Sequence, residues 1–297
     1  SINYRIEKAR LARHALTLRG QRNPGDAEKD QRLLDQITAL ERDYLVKTEA
    51  LERLHKEAGQ EVLFLTVSTG RSVRLSLDQV LAVSRPNGMH WGEKLLAYVQ
   101  SLWLFVSTEP REANTEGGIF PAIFGTVLMV FLMTLAVMPF GVMAAVYLRE
   151  YANQGLLVRL VRIAVNNLAG VPSIVFGVFG LAFFVYALGG TIDHWLFPEA
   201  LPNPTFGTGG ILWASLTLAL LTVPVVIVAT EEGLSAVPRD FREGSLGLGA
   251  TKFETLRHVI LPCALPGILT GLILAMARAA GEVAPLMLTG VVKLAPA

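Results

Sequence analysis

Residues 119–148 read IFPAIFGTVLMVFLMTLAVMPFGVMAAVYL, a run of 30 residues without a formal charge. A helix that crosses the hydrocarbon core of a bilayer needs about 20 consecutive, mostly apolar residues. Helices of soluble globular proteins rarely stay apolar over such a length. The stretch therefore predicts a membrane-spanning helix with room for tilt or a flanking turn.

Three more apolar segments follow along the chain. Ile163–Ile192 is a second uncharged run of 30 residues, and Ala200–Thr230 is a third run of 31. A fourth segment, at about Val259–Val292, is interrupted by two charges. By the same length rule, each segment predicts one span. We therefore expect an all-α membrane domain over residues 119–297.

Charge divides the chain into two parts. Residues 1–118 carry most of the charged side chains, and residues 119–297 carry few. The whole chain is 52% hydrophobic and 17% charged, with a formal net charge of +1. The high hydrophobic fraction excludes a disordered protein. The net charge near zero excludes a protein that coats nucleic acid, because it gives no global positive field. An extramembrane part therefore precedes the membrane part.

The loops between the apolar segments predict the orientation. Arg149–Arg162 holds three arginines, and Glu231–His258 holds four basic residues, whereas residues 193–199 contain no Lys or Arg. The positive-inside rule places the first two loops in the cytoplasm and the third outside. The alternation puts residues 1–118 on the outer, periplasmic face, so we expect one span before residue 1 and another after Ala297.

The beginning of the outer part predicts a helical hairpin. Ser1–Arg19 is compatible with a helix, and Asn23–Asp26 predicts a turn in which Asp26 caps a second helix. Along that second helix a heptad seam, broken once at Lys47, steps by four and three residues through Leu33, Ile37, Leu40, Tyr44, Lys47, Leu51 and Leu54. A spacer or packing arm and a specific docking surface are both compatible with this hairpin.

Two shorter features complete the outer part. Glu61–Ser68 and Arg71–Leu77, joined by Thr69-Gly70, predict a small β-hairpin. Trp91–Phe105 is apolar and rich in Trp and Tyr, which predicts an elbow helix at the lipid interface before the first span. A core helix is the alternative interpretation of that segment.

Several kinds of chemistry are absent from the sequence. Gly247–Lys252 has two glycines but lacks the full G-x-x-x-x-G-K-[ST] pattern of an ATP-binding loop. No H-E-x-x-H and no G-x-S-x-G occurs, the five histidines are scattered, and Cys263 is the single cysteine. We therefore expect no catalytic residues, no metal site and no cofactor.

The loop Glu231–His258 carries the most specific pattern. Its 28 residues exceed a simple turn and include REGSLGLGA at residues 242–250. Small residues in this stretch let the surface of another protein approach the backbone closely. Pro262, beyond the loop, predicts a clean start for the next helix.

This loop resembles the EAA motif of ABC importer permeases, E-A-A-x-x-x-G-x9-I-x-L-P. Glu243 takes the place of the glutamate, Gly249 that of the glycine, and Leu261-Pro262 that of the final pair. Gly244-Ser245 stands where the motif has two alanines, and a valine stands for the isoleucine. The resemblance implies that a separate ATPase docks at a set of residues comprising Arg242, Glu243, Gly244, Gly249, Ala250, Leu261 and Pro262.

Three further segments resemble phosphate ABC importer permeases of the PstA type. These are Tyr147–Ala152, Gly170–Gly177 and Ala277–Leu286, the last with Val283 where the family usually has Thr. The resemblance covers about residues 117–290. It implies a MetI-like helical bundle that forms half of a phosphate path in the bacterial inner membrane. The implied partners are a second permease of the PstC type, an ATPase dimer of the PstB type and a periplasmic phosphate-binding protein of the PstS type.

Two charges stand inside the fourth apolar segment. Arg278 and Glu282 are four residues apart, so we expect them to share one helix face. A charge at the bilayer centre costs about 2.5–3.5 kcal/mol, so such residues usually face a pore or each other. The pair either holds its helix against a neighbour, or Arg278 faces the path and offers its guanidinium to phosphate oxygens, with Glu282 holding it.

Two other functions compete with this interpretation. The chain can be the permease of another oxyanion importer, for molybdate, sulfate or phosphonate, although Gly170–Gly177 and Arg278–Leu286 argue for phosphate. It can also be a membrane-anchored signalling or scaffold protein whose working part is the coiled coil. The EAA-type loop argues against a scaffold, which needs no socket for an ATPase.

Overall fold

The computed structural model describes residues 2–18, 24–66, 70–76, 86–111 and 116–290. The chain forms two compact units. The first contains residues 1–102 and 197–203, and the second contains residues 103–196 and 204–297.

The first unit is built mainly from helices and one β-hairpin. Its elements are α1 (Ile2–Leu18), α2 (Pro24–Gln60), β1 (Val62–Thr66), β2 (Ser72–Ser76), a 3₁₀ turn (Pro86–Gly88), the first two thirds of α3 (Trp91–Ser107) and a 3₁₀ turn at Pro198–Ala200. The strands pair in antiparallel register from Val62 opposite Ser76 to Thr66 opposite Ser72, which confirms the predicted β-hairpin. The predicted ends of that hairpin at residues 67–69 and 77 lie outside the described residues.

The helical hairpin is confirmed, but only half of its predicted seam is used. Its apolar contact consists of Ile6, Ala9, Ile37 and Leu40. Arg13 Nε pairs with Asp30 at 2.8 Å, closer to the connection between the two helices. Farther along α2, Leu51 and Leu54 are exposed. The apolar contact therefore lies towards the open end of α1, away from the connection between the helices, and the seam of α2 is uncovered beyond it.

The predicted cap of α2 is wrong. The helix begins at Pro24, so Asp26 lies in its first turn instead of preceding it. Proline suits a first helical position because its missing N–H has no partner there in any case. A carboxylate in the first turn still complements the positive end of the helix dipole.

The second unit is a helical bundle. Its elements are the end of α3, β3 (Pro110–Arg111), β4 (Glu116–Gly117), α4 (Phe120–Val146) with a π-helical turn at Tyr147–Tyr151, α5 (Leu156–Leu168), α6 (Ser173–Gly180) with a π-helical stretch at Leu181–Gly189, α7 (Gly190–Leu196), α8 (Ile211–Ser235), α9 (Arg239–Gly247), α10 (Lys252–Thr255) with a π-helical turn at Leu256–Ile260, α11 (Leu261–Ala280) and α12 (Ala284–Thr289). Four continuous helices in the described residues are long and apolar enough to cross a membrane: Phe120–Tyr151, Ser173–Leu196, Ile211–Ser235 and Lys252–Ala280. The four predicted spans are therefore confirmed.

Helix α8 lies at the centre of the bundle. Its apolar window is 61% buried, against 28–33% in the other three spans. Small residues bring the neighbours close: a Cβ added at Gly141 of α4 would meet Val226, and one added at Gly180 of α6 would meet Thr217. Helix α11 approaches most closely, because Gly233 of α8 lies against the backbone of α11 near Gly267. Such contacts replace the hydrophobic effect, which does not drive helix association in lipid.

The fourth span begins at Lys252, seven residues before the predicted start of the apolar segment at about Val259 and ten before Pro262. Thr251 forms a capping box with Glu254, so the helix starts at Lys252 and Pro262 lies inside it. Proline lacks an N–H and clashes with the carbonyl four residues back. A π-helical turn at Leu256–Ile260 stands directly before it and widens the backbone there. Pro262 therefore follows a local distortion and does not mark a helix start.

The contact between α8 and α11 gives a testable prediction. An added Cβ at Gly271 would lie 2.2 Å from the Cβ of Ala229, so Gly271→Ala should lower the free energy of unfolding in detergent by about 1–3 kcal/mol. Gly125→Ala is the matched control, because nothing lies within 4 Å of its added Cβ. Adding Ala229→Gly to the Gly271→Ala variant should restore the stability. Equal thermal unfolding of the two single variants would show that the helices are not in close contact.

Candidate functional site

The loop singled out by the sequence is shorter than predicted and partly helical. Helix α8 continues to Ser235 and α10 begins at Lys252, so the connection covers residues 236–251, with α9 inside it. Helix α9 ends where Gly249 takes a φ of +91°, a left-handed conformation that L side chains rarely adopt. The N–H of Ala250 then donates to the carbonyl of Ser245 at 3.2 Å. Gly249 is therefore required by the backbone of the turn.

The loop has open space around its glycines and exposes several large apolar side chains. Nothing lies within 4 Å of a Cβ added at Gly244, Gly247 or Gly249. Large apolar side chains are exposed beside these glycines, namely Phe241, Leu246, Leu248 and Phe253, with Leu248 92% exposed. We call these seven residues the α9 patch. An exposed apolar cluster of this kind is typical of a protein contact surface.

The structure places the predicted loop residues in three settings. Glu243 is exposed on α9 beside the patch, and Ala250 is half-buried at the turn. Leu261 is half-buried and packs against the core, whereas Pro262 is exposed on the following helix. The structure therefore does not bring the end of the motif onto the α9 patch.

Arg242 fastens α9 to two spans. Its Nη1 forms an ion pair with Glu150, in the π-helical turn that ends α4, and both side chains are largely buried. Its Nη2 donates to the carbonyl oxygen of Leu234, in the last turn of α8, at 2.6 Å. The sequence indicated each segment separately, but not that they meet here.

A second arginine makes a similar contact for α5. Arg162 Nε lies 3.1 Å from Glu231 Oε1 of α8, and its Nη1 donates to Gln154 Oε1 at 3.0 Å. Its Nη2 lies 3.5 Å from the carbonyl oxygen of Leu148, at the end of α4. The two arginine contacts join the two arginine-rich connections, which confirms that these lie at the same end of the bundle. We call it the arginine end.

Arg278 and Glu282 do pair, but not on one helix. Helix α11 ends at Ala280, and the N–H of Glu282 donates to the carbonyl of Ala279 at 3.2 Å in a tight turn. The expectation of a shared helix face is therefore wrong. Arg278 Nε still lies 3.5 Å from Glu282 Oε1, with the two side chains 39% and 19% exposed.

The turn after α11 lies at mid-height of the bundle. Helices α8 and α11 are antiparallel, since Gly233 lies against Gly267 and Gly271 against Ala229. Continuing at the same rise along both helices places Arg278 level with Thr222, near the middle of α8. The fourth membrane segment is therefore a broken helix with its charged pair at the break.

Helix α12, which follows the break, packs against α6 and against the residue before α8. A Cβ added at Gly177 of α6 would lie 2.9 Å from Pro285, and the N–H of Gly210 donates to the carbonyl of Thr289 at 2.9 Å. Two of the segments that carried the resemblance, Gly170–Gly177 and Ala277–Leu286, thus meet in space.

Within the described residues, no group of three or more His, Cys, Asp or Glu side chains is placed to hold a metal ion.

A family model matches residues 137–295 of this chain; its description is "Binding-protein-dependent transport system inner membrane component". The match covers more than half of the chain and includes the central span, α9 and the broken helix. The chain belongs to this family, whose members are membrane subunits of transport systems.

Comparison with individual proteins shows which members of the family are similar to this chain. The chain is 37% identical over 171 residues to "Phosphate transport system permease protein PstA 1" of Mycobacterium tuberculosis, which covers 58% of this chain and 50% of that protein. It is 36% identical over 189 residues to a PstA protein of Yersinia pestis, covering 64% and 58%. It is 33% identical over 185 residues to "Probable ABC transporter permease protein YqgI" of Bacillus subtilis, covering 62% and 57%. The chain thus spans about half the length of these relatives.

Solved structures show a weaker likeness. An inward-facing structure of the MetNI methionine ABC transporter is 22% identical to this chain, with a TM-score of 0.47 over 64% of this chain and 76% of the other.

The Arg242 contact predicts how the loop responds to mutation. Arg242→Gln leaves Glu150 without its cation, and a lost hydrogen bond to a charged group costs about 1.5–3 kcal/mol. Hydrogen–deuterium exchange of residues 239–251 should therefore become faster, and trypsin should cut this loop more readily at Arg239. Arg257→Gln is the control, since among the described residues Arg257 forms no ion pair. Unchanged exchange in Arg242→Gln would mean that the contact does not hold α9.

Proposed function

We propose that this chain is the membrane-spanning permease subunit of an ATP-driven phosphate importer in a bacterial inner membrane. The observation that carries the proposal is the group of relatives at 36–37% identity that are phosphate transport permeases. The match of the family model, residues 137–295, includes the broken helix and α9. In this role the chain forms half of the translocation path.

Coupling to ATP hydrolysis is proposed at the α9 patch. The chain lacks an ATP-binding loop, so hydrolysis belongs to a separate ATPase dimer of the PstB type. The patch offers exposed apolar side chains around open glycine backbone, which a cleft in another protein can cover. Movement of a docked ATPase would reach α4 and α8 through Arg242, because that side chain contacts both helices.

The remaining partners follow from the proposed orientation. With the arginine end in the cytoplasm, residues 1–118 lie in the periplasm, where a phosphate-binding protein of the PstS type delivers its ligand. A second permease of the PstC type completes the path. The hairpin of α1 and α2 is proposed as a packing arm, because its apolar seam is short and is broken at Lys47.

Phosphate recognition is proposed at the break after α11. Arg278 is 39% exposed, so its guanidinium can reach a ligand while one side is held by Glu282. The planar guanidinium offers paired N–H donors that match two oxygens of an oxyanion. Glu282 also keeps the local charge near zero, which prevents binding too tight for release. A role as a structural pair remains the competing interpretation.

The proposal is tested with the complete complex. The permease is co-expressed with its second permease and ATPase, purified through the permease, and reconstituted with binding protein and ATP. We expect the ATPase to co-purify and radioactive phosphate to enter, with little competition from sulfate, molybdate or phosphonate. Competition by one of those anions would establish the rival oxyanion importer, and absence of a co-purifying ATPase would favour the scaffold. Gly247→Trp, which adds bulk to the patch at an ordinary φ, should abolish uptake and leave insertion intact.

Arg278 gives a separate prediction within the same assay. Arg278→Lys keeps the charge but loses the paired donors, so uptake should fall, and Arg278→Ala should abolish it while the protein still inserts. The double variant Arg278→Ala/Glu282→Ala decides between the two roles. Replacing both members of a structural pair can be nearly neutral, because no lone charge remains. Normal phosphate uptake by the double variant would therefore remove Arg278 from the path.

A further inference from the structure

Helix α5 presents three different faces. Val158 is buried and packs near Leu148 and Ile227, and Arg162 and Val165 lie on the same side. On a helical wheel, Arg159 and Asn166 fall together on a polar edge. Most of the remaining surface is an exposed apolar arc that spans almost half of the circumference and is interrupted by the exposed Asn167; its apolar residues are Leu156, Leu157, Leu160, Val161, Ile163, Ala164 and Leu168. We call this arc the α5 apolar face.

The α5 apolar face is larger than chance exposure explains. Leu156 and Leu157 are 73% and 79% exposed, and every large side chain on the arc is at least 38% exposed. The helix is nevertheless held firmly, because Arg162 bonds to α8 and to the end of α4. A large exposed apolar face of this kind marks a contact with a membrane or with another protein.

The position of α5 indicates what that occupant is. Four residues separate the end of the first span at Tyr151 from the start of α5, and four more separate the end of α5 from the second span, which begins at Ser173. Both ends are thus tied to the boundary of the membrane segments. The α5 apolar face is continuous in sequence with two lipid-facing spans.

Two arginine side chains near α5 are consistent with a position at the membrane boundary. The exposed side chains of Arg149 and Arg159 form no ion pair within the described part of the chain, and Arg159 borders the apolar arc. Unpaired arginines beside an apolar helix face are suited to anionic lipid headgroups above acyl chains. We propose that α5 lies in the bilayer boundary at the arginine end, with its apolar face among acyl chains and Arg159 on an anionic headgroup.

The test uses a fluorophore on the intact complex in liposomes. Cys263, which is exposed, is replaced by Ser, and the label is placed through Leu157→Cys or, as a control on the polar edge, Asn166→Cys. Phospholipids brominated in the acyl chain should quench the label at position 157, and iodide in the water should not. The label at position 166 should respond to iodide.

The contact between Arg159 and an anionic headgroup is tested by comparing an anionic with a zwitterionic brominated lipid. At equal mole fraction, brominated phosphatidylglycerol should quench the label at position 157 more than brominated phosphatidylcholine does. Arg159→Gln should remove that difference, whereas Arg239→Gln, on α9, should keep it. Equal quenching by both lipids with Arg159 present would overturn the headgroup contact.

Two other outcomes overturn the lipid contact itself. A label at position 157 protected from both lipid and iodide means that a protein subunit covers the face. A label quenched by iodide means that the face is in water. Neither result depends on phosphate transport, so the proposed function stands or falls separately.

Discussion

Close approach of helix backbones at small residues is the interaction on which the bundle depends. Inside a bilayer, apolar side chains gain little by leaving lipid for protein, so helices associate through tight packing. Here α8 packs against α4, α6 and α11 at Gly141, Gly180 and Gly267, each with less space than a Cβ needs. Three buried hydroxyls of α8, on Ser215, Thr217 and Thr222, donate to carbonyls four residues earlier in the same helix, whereas the buried Thr230 hydroxyl has no hydrogen-bond partner within the described residues.

Polar contacts are concentrated where the bundle meets water. Arg162 and Arg242 each join a short helix to the ends of α4 and α8, using one carboxylate and one backbone carbonyl apiece. The last carbonyls of a helix have no partner inside it, so arginine at that place satisfies them and complements the helix dipole. The arginine end therefore behaves as one connected layer.

Sequence patterns predicted the spans well because length and apolarity are sufficient for that purpose. The start and end of the fourth span were missed although local signals were present. Thr251 and Glu254 have the spacing of a capping box, and Gly281 followed by Pro285 is a helix stop. The EAA-type resemblance directed attention to Pro262 instead. Contacts such as Arg242 with Glu150 were not predictable, because they join residues 92 positions apart through the packing of α4 and α8.

Gly249 illustrates how one backbone angle sets the freedom of a position to vary. Gly244 and Gly249 both have open space around them, so sterics alone would treat them alike. The φ of +91° at Gly249 excludes other L residues without strain, whereas no such restriction applies at Gly244. Over evolutionary time the first position should accept many residues and the second almost none. The amino acids on the surface of α9 can then change one at a time during evolution, while the backbone at the end of that helix keeps its conformation.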